Sequence, residues 1–542
     1  MLSSIRSIRR LFLIAITFAR HGALAPFEHA MVGAGLTPIV LFVIQLLFGR
    51  QVGDKRPGER LALALGELGP AFIKLGQVLS TRSDLLGEQV AEDLAKLQDQ
   101  LPAFSAFQAR ATIETELGAR IEELFSQFDD EPVSAASISQ VHYAVTVPDD
   151  EYPEGRQVAV KVLRPGIEEA FKADIELLLW MAYLIERTQP RLKRLKPVEV
   201  VQTFAATVSV EMDLRLEAAS AAELRQNFVN DLSYRVPDID WRRTAKRAMT
   251  QERLTGIPMD DRAGMLAAGL DVDDVLTKAA AAFFNQAFRD GYFHGDQHPG
   301  NMTVGYDGAI QVVDFGIMGR LSKRTRYFLA DMLLAFLQRD YAKVAEVYVD
   351  AGYLPPAKSV EDFTLALRSI GEPIHGRPLH YISFARVLGQ LFSIAENFQM
   401  EVQPELLLLQ KNMLMAEGVS RRLNPHLNIW TLAQPLIEQW MRDNRGPEAR
   451  VAQAAEEALF IVRRFPAVMR NMDRLLHHLA EGGLKLDPEA PQVINRHGSN
   501  WGVWIIIAVL VAGLLFSGSE QNIYVLPDVP LDILPERNQV AP

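Results

Sequence analysis

The sequence predicts an α+β fold with two lobes, a helical extension before them and one transmembrane helix after them. Residues 133–147 and 157–162 alternate in character and are rich in β-branched side chains, which indicates strands. Beyond Pro165 the spacing of apolar residues is mostly helical. Residues 498–519 carry no charge. A small β-rich lobe is therefore expected to precede a larger helical lobe and a membrane span.

The composition restricts the classes of function that the chain can have. Its 542 residues, of which 49% are hydrophobic and 23% charged, are enough for two or three globular units. The net charge of −11 does not supply the basic stripe that phosphate neutralisation needs, so no nucleic-acid partner is expected. The chain has no cysteine, which excludes disulfides, thiolate zinc sites and cysteine nucleophiles.

The first 60 residues are predicted to form a basic amphipathic segment. No acidic residue precedes Glu28, and apolar side chains are interleaved with four arginines: Arg6, Arg9, Arg10 and Arg20. A helix on a membrane surface fits this pattern best. A signal peptide is the rival interpretation, but Arg20 cuts the apolar run short. Residues 30–49 are also uncharged, yet Gly33 and Pro38 weaken them as a span, so a membrane-lying or packed helix is favoured.

Six segments follow from the pattern along the chain. Between residues 60 and 101 apolar side chains recur every three or four positions, which predicts helices that break at Gly69-Pro70 and near Gly87. The helical pattern after the strands is interrupted only by a short β region at 301–314 that turns at Asp307-Gly308. The predicted boundaries are 1–60 for the basic segment, 61–130 for the helical extension, 131–256 for the small lobe, 257–450 for the helical lobe, 451–497 for a helical linker and 498–519 for the transmembrane helix.

The uncharged segment near the C-terminus fits the dimensions of a bilayer. Residues 501–516 read WGVWIIIAVLVAGLLF, and about 20 residues in a helix match the hydrocarbon thickness. Trp501 and Trp504 are suitable interface anchors, and a buried core helix is the alternative. Arginines precede this segment and mostly acidic residues follow it, so the positive-inside rule puts the large N-terminal part in the cytoplasm. These residues are Arg463, Arg464, Arg470, Arg474 and Arg496 before it, and Glu520, Asp528, Asp532, Glu536 and Arg537 after it.

Two short motifs have the form of an ATP site. Residues 158–161 (VAVK) put Lys161 at the end of an apolar strand, where kinases present an ammonium to the α- and β-phosphates, although such a lysine alone is normally a solvated charge. Residues 294–301 (HGDQHPGN) match a kinase catalytic loop. In that loop Asp296 would accept or orient the proton of a nucleophile, and Asn301 would give Mg²⁺ an oxygen ligand.

A third motif, VVDFG at 312–316, ends a strand with Asp314, which would bind the same metal. The His/Asp/His cluster of the loop is also compatible with a zinc or iron site, but no HExxH-like helix accompanies it. The order Lys161, Asp296, Asn301, Asp314 in these contexts predicts a protein-kinase-like Mg²⁺-ATP site.

Two features differ from an ordinary protein kinase. No GxGxxG precedes Lys161; residues 134–142 (SAASISQVH) take its place, so a turn of alanines and serines is expected over the phosphates. No Ala-Pro-Glu follows Asp314, and the chain enters a helix soon after Gly319, so a docking groove for peptide substrates is not expected. The turn residues predicted to contact the nucleotide are Ala135, Ala136, Ser137, Ile138 and Ser139.

Together with KLGQ at 74–77 and EMD at 211–213, these motifs resemble the signature set of the UbiB family, over roughly residues 5–520. The resemblance implies an atypical protein-kinase-like fold that binds ATP and Mg²⁺ and supports ubiquinone biosynthesis. It implies that Lys161 pairs with Glu217, and that Gln251, Glu252 and Arg253 mark the hinge where adenine docks. The chain departs from the family at Ser134 and Ser139, where alanine is usual, and in showing one C-terminal span where bacterial relatives often have two.

The resemblance also assigns a regulatory role to the extension. Lys74 and Gln77 would cover the cleft near Glu211 and Asp213, whereas the plain interpretation is a solvated lysine and an acidic helix. Glu211, Asp213 and Glu217 are spaced i, i+2, i+6, which does not form one helical stripe. At least two roles are therefore expected for these carboxylates.

Two hypotheses for function follow. The first is an enzyme, a Mg²⁺-dependent ATPase or atypical kinase, with ATP hydrolysis favoured over peptide phosphorylation. The second is a scaffold that uses nucleotide as a switch to organise or extract quinone precursors without phosphoryl transfer. The resemblance implies a bacterial inner-membrane location with the kinase-like domain in the cytoplasm. It also implies membrane lipids, quinone intermediates and quinone-biosynthesis enzymes as partners, and it leaves a homodimer open.

Overall fold

The helices and strands are described from a computed structural model that covers residues 5–23, 55–80, 86–95, 97, 102–188, 196–373, 383–400, 403–427 and 429–445. The helices there are α1 (Ile5–His21), α2 (Pro57–Leu68), α3 (Pro70–Ser80), α4 (Glu88–Ala95), α5 (Ala106–Leu117), α6 (Ile121–Leu124), α7 (Ile167–Thr188), α8 (Pro197–Glu211), α9 (Leu214–Asn227), α10 (Arg262–Ala267), α11 (Val272–Phe284), α12 (Lys323–Leu337), α13 (Tyr341–Asp350), α14 (Val360–Gly371), α15 (Phe384–Asn397), α16 (Pro404–Leu423) and α17 (Ile429–Arg445). The strands are β1 (Phe125–Phe128), β2 (Ser134–Ala135), β3 (Ser139–Thr146), β4 (Gln157–Leu163), β5 (Tyr234–Arg235), β6 (Ala248–Glu252), β7 (Ile257–Pro258), β8 (Tyr292–His294), β9 (Met302–Val304), β10 (Ile310–Val312) and β11 (Met318–Arg320).

The predicted extension begins with α2 to α4, and these helices break where the sequence predicts. Gly69 separates α2 from α3 with φ +101°, and Gly87 precedes α4 with φ +80°. Side chains with a Cβ rarely adopt such angles, so glycine ends these helices. Helix α1 lies in the predicted basic segment, and the guanidinium of its Arg10 binds Asp174 of α7 at 2.8 Å. Phe12 of α1 remains 62% exposed.

The small lobe is built on a five-stranded antiparallel sheet with the order β1-β3-β4-β6, in which β2 also pairs with β3. Lys161 of β4 lies between Val141 of β3 and Met249 of β6. The sequence predicted β3 and β4 but assigned the region of β6 to a helical stretch, and that part was wrong. β6 is buried on both faces over Ala248–Gln251, so it lacks the alternation that marks a half-buried strand.

Helices α8 and α9 follow one another in the chain and meet at a break. Glu211 is the last residue of α8, and Asp213 caps α9 by accepting a hydrogen bond from the Arg215 backbone N–H at 3.1 Å. The aspartate side chain competes with helical hydrogen bonding and so starts a new helix. The break turns Glu217, in the first turn of α9, away from Glu211.

The larger lobe contains the short sheet β5-β10-β9-β7, the β8/β11 pair and helices α10 to α17. β9 and β10 form the predicted hairpin around Gly308, whose φ is +79°. Helix α16 is held at both ends, because Leu406 and Leu409 pack in one hydrophobic cluster and Val419 and Leu423 in another.

Within the described ranges, no helix has both the length and the apolar character needed to cross a membrane. The predicted transmembrane helix at 498–519, the linker at 451–497 and residues 30–49 all lie outside the described residues.

Candidate active site

A lysine and two carboxylates converge between the lobes. The Nζ of Lys161 lies 2.6 Å from Oε1 of Glu217 and 3.3 Å from Oδ1 of Asp314. β4 supplies the lysine, α9 the glutamate and the loop after β10 the aspartate. The lysine and Glu217 side chains are only 13% and 8% exposed, whereas that of Asp314 is 49% exposed. Asp314 is therefore the carboxylate that a ligand in the cleft can reach.

The charges of this cluster support one another. Burial alone would lower the pKa of Lys161, but the carboxylates of Asp314 and Glu217 raise it above its usual range. Burial alone would raise the pKa of Asp314, but the ammonium groups of Lys161 and then Lys74 hold it well below its usual range. Burial raises the pKa of the Glu217 carboxyl, and the Lys161 ammonium opposes that shift. The lysine is a fixed cation and Asp314 a fixed anion at neutral pH.

Asp314 has a strained backbone. Its φ is +65°, which costs a residue with a Cβ roughly 1–2 kcal/mol. The next residue, Phe315, is 1% exposed, and its N–H donates to Glu217 Oε1 at 3.3 Å. The buried phenyl ring and this hydrogen bond fix the turn, so Asp314 is held in the cleft.

His294 joins the catalytic loop to the Asp314 segment. Its Nδ1 accepts from the Asp296 backbone N–H at 3.1 Å, and its Nε2–H donates to the Asp314 carbonyl at 2.6 Å. These two partners fix the tautomer. The ring is fully buried, and burial lowers the pKa of His294, so the histidine is neutral.

Asn301 is hydrogen-bonded both to Asp296 and to Val313, the residue before Asp314. Asn301 donates its side-chain N–H to the Asp296 carbonyl at 3.2 Å, and its own carbonyl accepts from Val313 N–H at 2.9 Å. No group of three or more His, Asp or Glu side chains suited to a metal exists in the part of the chain that the structure describes. Mg²⁺ often takes only one or two protein oxygens when phosphates supply others. The oxygen-bearing side chains of Asn301 and Asp314 are therefore compatible with Mg²⁺ bound to a nucleotide.

The turn that replaces the glycine-rich loop is tightly tied down. The Ala136 N–H donates to the Ser139 carbonyl at 2.8 Å, and the Arg164 guanidinium donates to the Ala136 carbonyl at 2.9 Å. Ser137, Ile138 and Ser139 are buried, while Ala135 belongs to β2. The turn lies at the end of β4 that follows Lys161, because Ser139 pairs with Leu163.

Strand β6, where the sequence resemblance put the hinge, carries Gln251 and Glu252, and these two residues have different surroundings. The Glu252 carboxylate pairs with Arg156 and Arg235, and its backbone N–H donates to the Asp238 carbonyl at 2.8 Å. Gln251 pairs in register with Ala159 and so shares the face of Lys161. Its side-chain oxygen is buried and accepts no hydrogen bond from the described residues. An unsatisfied buried acceptor is costly, and the amino group of adenine is a fitting donor.

The extension reaches this site through Lys74 of α3. The Nζ of Lys74 lies 3.0 Å from Oε2 of Glu211, and the two side chains are only 12% and 9% exposed. Gln77 lies one turn further along α3 and is half-buried. Asp213 pairs with Arg215 at 2.6 Å. The carboxylates at 211, 213 and 217 thus have three different tasks.

Two residues that sequence reasoning missed complete the loop. Lys411 Nζ lies 2.7 Å from Asp296 Oδ1, and Asn412 donates to the His294 carbonyl at 2.6 Å. Both come from α16, which the sequence shows only as a leucine-rich helix. No local motif links them to a loop more than 100 residues away.

Comparisons with known proteins found several similar sequences. The family model described as the ABC1 atypical kinase-like domain matches residues 96–348, and the UbiB helical domain matches residues 367–428. A protein of Marinobacter nauticus named "Probable protein kinase UbiB" is 43% identical over 530 residues, which cover 95% of this chain and 94% of that protein. A protein of the same name from Azotobacter vinelandii is 39% identical and covers 85% and 88% of the two chains. A solved structure of a Mycobacterium tuberculosis protein with erythromycin is 28% identical, covers 69% of this chain and 93% of its own, and has a TM-score of 0.45.

Proposed function

Because this chain belongs to the UbiB family of atypical kinase-like proteins, we propose that it is a membrane-anchored, Mg²⁺-dependent ATPase or atypical kinase that supports ubiquinone biosynthesis. The observation that carries the proposal is the triangle of Lys161, Glu217 and Asp314, at 2.6 and 3.3 Å from the lysine nitrogen. A fixed cation beside an exposed, ionised carboxylate is the arrangement that binds phosphates together with their metal.

In this proposal, each residue of the site has a separate role in phosphoryl transfer. Lys161 holds the α- and β-phosphates, and the buried Gln251 oxygen accepts from the base. Asp296 takes the proton of the attacking water or hydroxyl as that oxygen bonds to the γ-phosphorus. The bond to the β–γ bridging oxygen breaks, and ADP leaves with its electron pair. Asn301 and Asp314 would hold Mg²⁺, which when bound offsets the negative charge of the phosphates.

The extension favours water or a small acceptor over a peptide. Lys74 and Glu211 are paired while almost buried, and the Lys74 charge lowers the pKa of Asp314 inside the cleft. A peptide that approached this carboxylate from the side of α3 would have to break that pair. Quinone intermediates and membrane lipids are proposed as the ligands that regulate turnover.

The proposed inner-membrane location rests on two sequence segments. Residues 498–519 are uncharged, and α1 is a basic helix on which Phe12 and Leu13 are 62% and 45% exposed next to Arg9. An exposed apolar and basic helix face suits an anionic membrane surface. The proposed partners, quinone-biosynthesis enzymes and their prenylated intermediates, belong to the same membrane.

Phosphate release by the full-length protein in phospholipid vesicles tests the enzymatic proposal. Asp296→Asn is expected to lower Mg²⁺-ATP turnover by about 10²–10⁴-fold, the usual contribution of a general base. Asp150→Asn, at an exposed position outside the cleft, is the matched control and should behave like the parent. Equal turnover in the parent and the Asp296 variant would favour the nucleotide-switched scaffold. Quinone content of deletion cells that carry each variant then shows whether turnover is needed for biosynthesis.

A further inference from the structure

Helix α16 holds the catalytic loop from both sides of its aspartate. Lys411 binds Asp296 Oδ1 at 2.7 Å. Asn412, only 1% exposed, donates to the His294 carbonyl at 2.6 Å and accepts from the Gln297 N–H at 3.3 Å. The residues it holds lie before and after Asp296 in the chain. The loop is therefore fixed by two consecutive side chains of one helix.

The helix cannot shift without disturbing two cores. Its first half buries Leu406 and Leu409 among the helices of the large lobe. Its second half buries Val419 and Leu423 in the cluster that contains Phe315, the residue after Asp314. Interiors packed in this way are stiff, so the position of Lys411 is set by the fold and not by its own side chain alone.

Lys411 engages one oxygen of the carboxylate and leaves the other. The Lys411 and Asp296 side chains are 32% and 26% exposed, so the pair borders the cleft and is not sealed in the core. Oδ2 of Asp296 accepts no hydrogen bond from any residue that the structure describes. We propose that Lys411 is a positioning residue: it fixes Oδ1 of Asp296 so that Oδ2 accepts the nucleophile's proton. This inference rests on the proposed function of Asp296.

The kinetics of ATP hydrolysis show whether Lys411 positions Asp296 or only stabilises the fold. Lys411→Met is expected to lower kcat by about 100-fold, the cost of a small misplacement of a catalytic group. The KM for ATP and the Kd for Mg²⁺-ATP should stay unchanged, since Lys161 and Asp314 are untouched. Lys411→Arg should recover most of the lost activity, because a guanidinium also pairs with a carboxylate.

A double-mutant cycle adds a readout that a structural role would not give. In an Asp296→Asn background, Lys411→Met should cause no further loss of kcat, because the carboxylate that it positions is gone. Thermal unfolding of the protein without nucleotide is measured for each variant, and the Lys411 variants should melt with the parent. Lys343→Met is the control, since Lys343 forms a 2.6 Å pair with Glu346 on an exposed helix face.

The outcomes distinguish this inference from the proposed function. The positioning role would be overturned if Lys411→Met kept the kcat of the parent. It would also be overturned if the two substitutions lowered kcat independently, so that the double variant lost the product of the two factors. In both cases a large loss of kcat in Asp296→Asn would still support the enzymatic proposal. A melting temperature that falls in Lys411→Met and is not restored by arginine would mark the lysine as structural and overturn the inference. Turnover that is insensitive to Asp296→Asn would overturn both.

Discussion

Replacing Lys74 by alanine tests whether the extension is clamped on the cleft. The Lys74–Glu211 pair is 3.0 Å long, and its side chains are 12% and 9% exposed. Removing one partner of a pair this deep leaves the other charge without compensation, which costs about 3–5 kcal/mol. Lys196→Ala is the matched control, because its 3.1 Å pair with Glu199 is 63% and 60% exposed. Breaking an exposed pair costs about 0–1 kcal/mol.

Five measurements follow the loosened extension. Urea unfolding should show the loss of stability, and hydrogen exchange should rise in α3 (residues 70–80) more than in α16. We also expect altered ATP turnover, incorporation of label from γ-labelled ATP into the protein itself, and failure to restore quinone content in deletion cells. Glu211→Gln in the Lys74→Ala protein should recover part of the stability, because it removes the unpaired buried charge.

The extension is not clamped by Lys74 if Lys74→Ala behaves like Lys196→Ala. Lys74 would then be an ordinary solvated lysine. The expected signs are equal stability of the two variants, equal hydrogen exchange in α3, no label incorporation and normal quinone content. A large loss of stability with normal quinone content would keep the clamp but remove its functional role.

Three other predictions concern the metal ligand, a histidine and the anchor. Asp314→Asn should abolish Mg²⁺-dependent nucleotide binding, because an amide leaves the metal charge unmatched; equal thermal stabilisation of parent and variant by Mg²⁺-ATP would contradict the assignment. Burial lowers the pKa of His294, so the unfolded chain binds a proton there that the folded one does not. The free energy of unfolding should therefore fall as the pH drops below about 6.5, by at most about 1.4 kcal/mol per pH unit from this group; an NMR titration of the ring at its ordinary pKa would refute this. A protein truncated after Val493 should be released by carbonate extraction, and its retention in the pellet would indicate that residues 30–49 span the bilayer.

The parts of the site that were predictable are those carried by short motifs. Lys161, Asp296, Asn301 and Asp314 each lie in a pattern of a few residues whose strand or loop context is local. The Lys161–Glu217 pair was expected only from the family resemblance, because the two residues are 56 positions apart. Their roles in catalysis and metal binding remain predictions, and the structure supplies the distances that make them testable.

Other features had no signal in the sequence. The strand Ala248–Glu252 is buried on both faces, so its pattern does not distinguish it from a buried helix segment. The positive φ of Asp314 is followed by the buried Phe315, and neither feature can be read from the residue types alone. Lys411 has an ordinary place in a leucine-rich helix, and only the fold brings it to Asp296.

The long separation between Asp296 and its lysine has a consequence during synthesis. The 115 positions between them take a ribosome roughly 6–23 s to add at about 5–20 residues per second. For most of that interval, once Asp314 has been added, a nascent chain has every motif residue of the proposed ATP site but not the helix that holds its loop. Translation therefore makes the residues proposed to bind nucleotide first, and the helix proposed to position the aspartate after them.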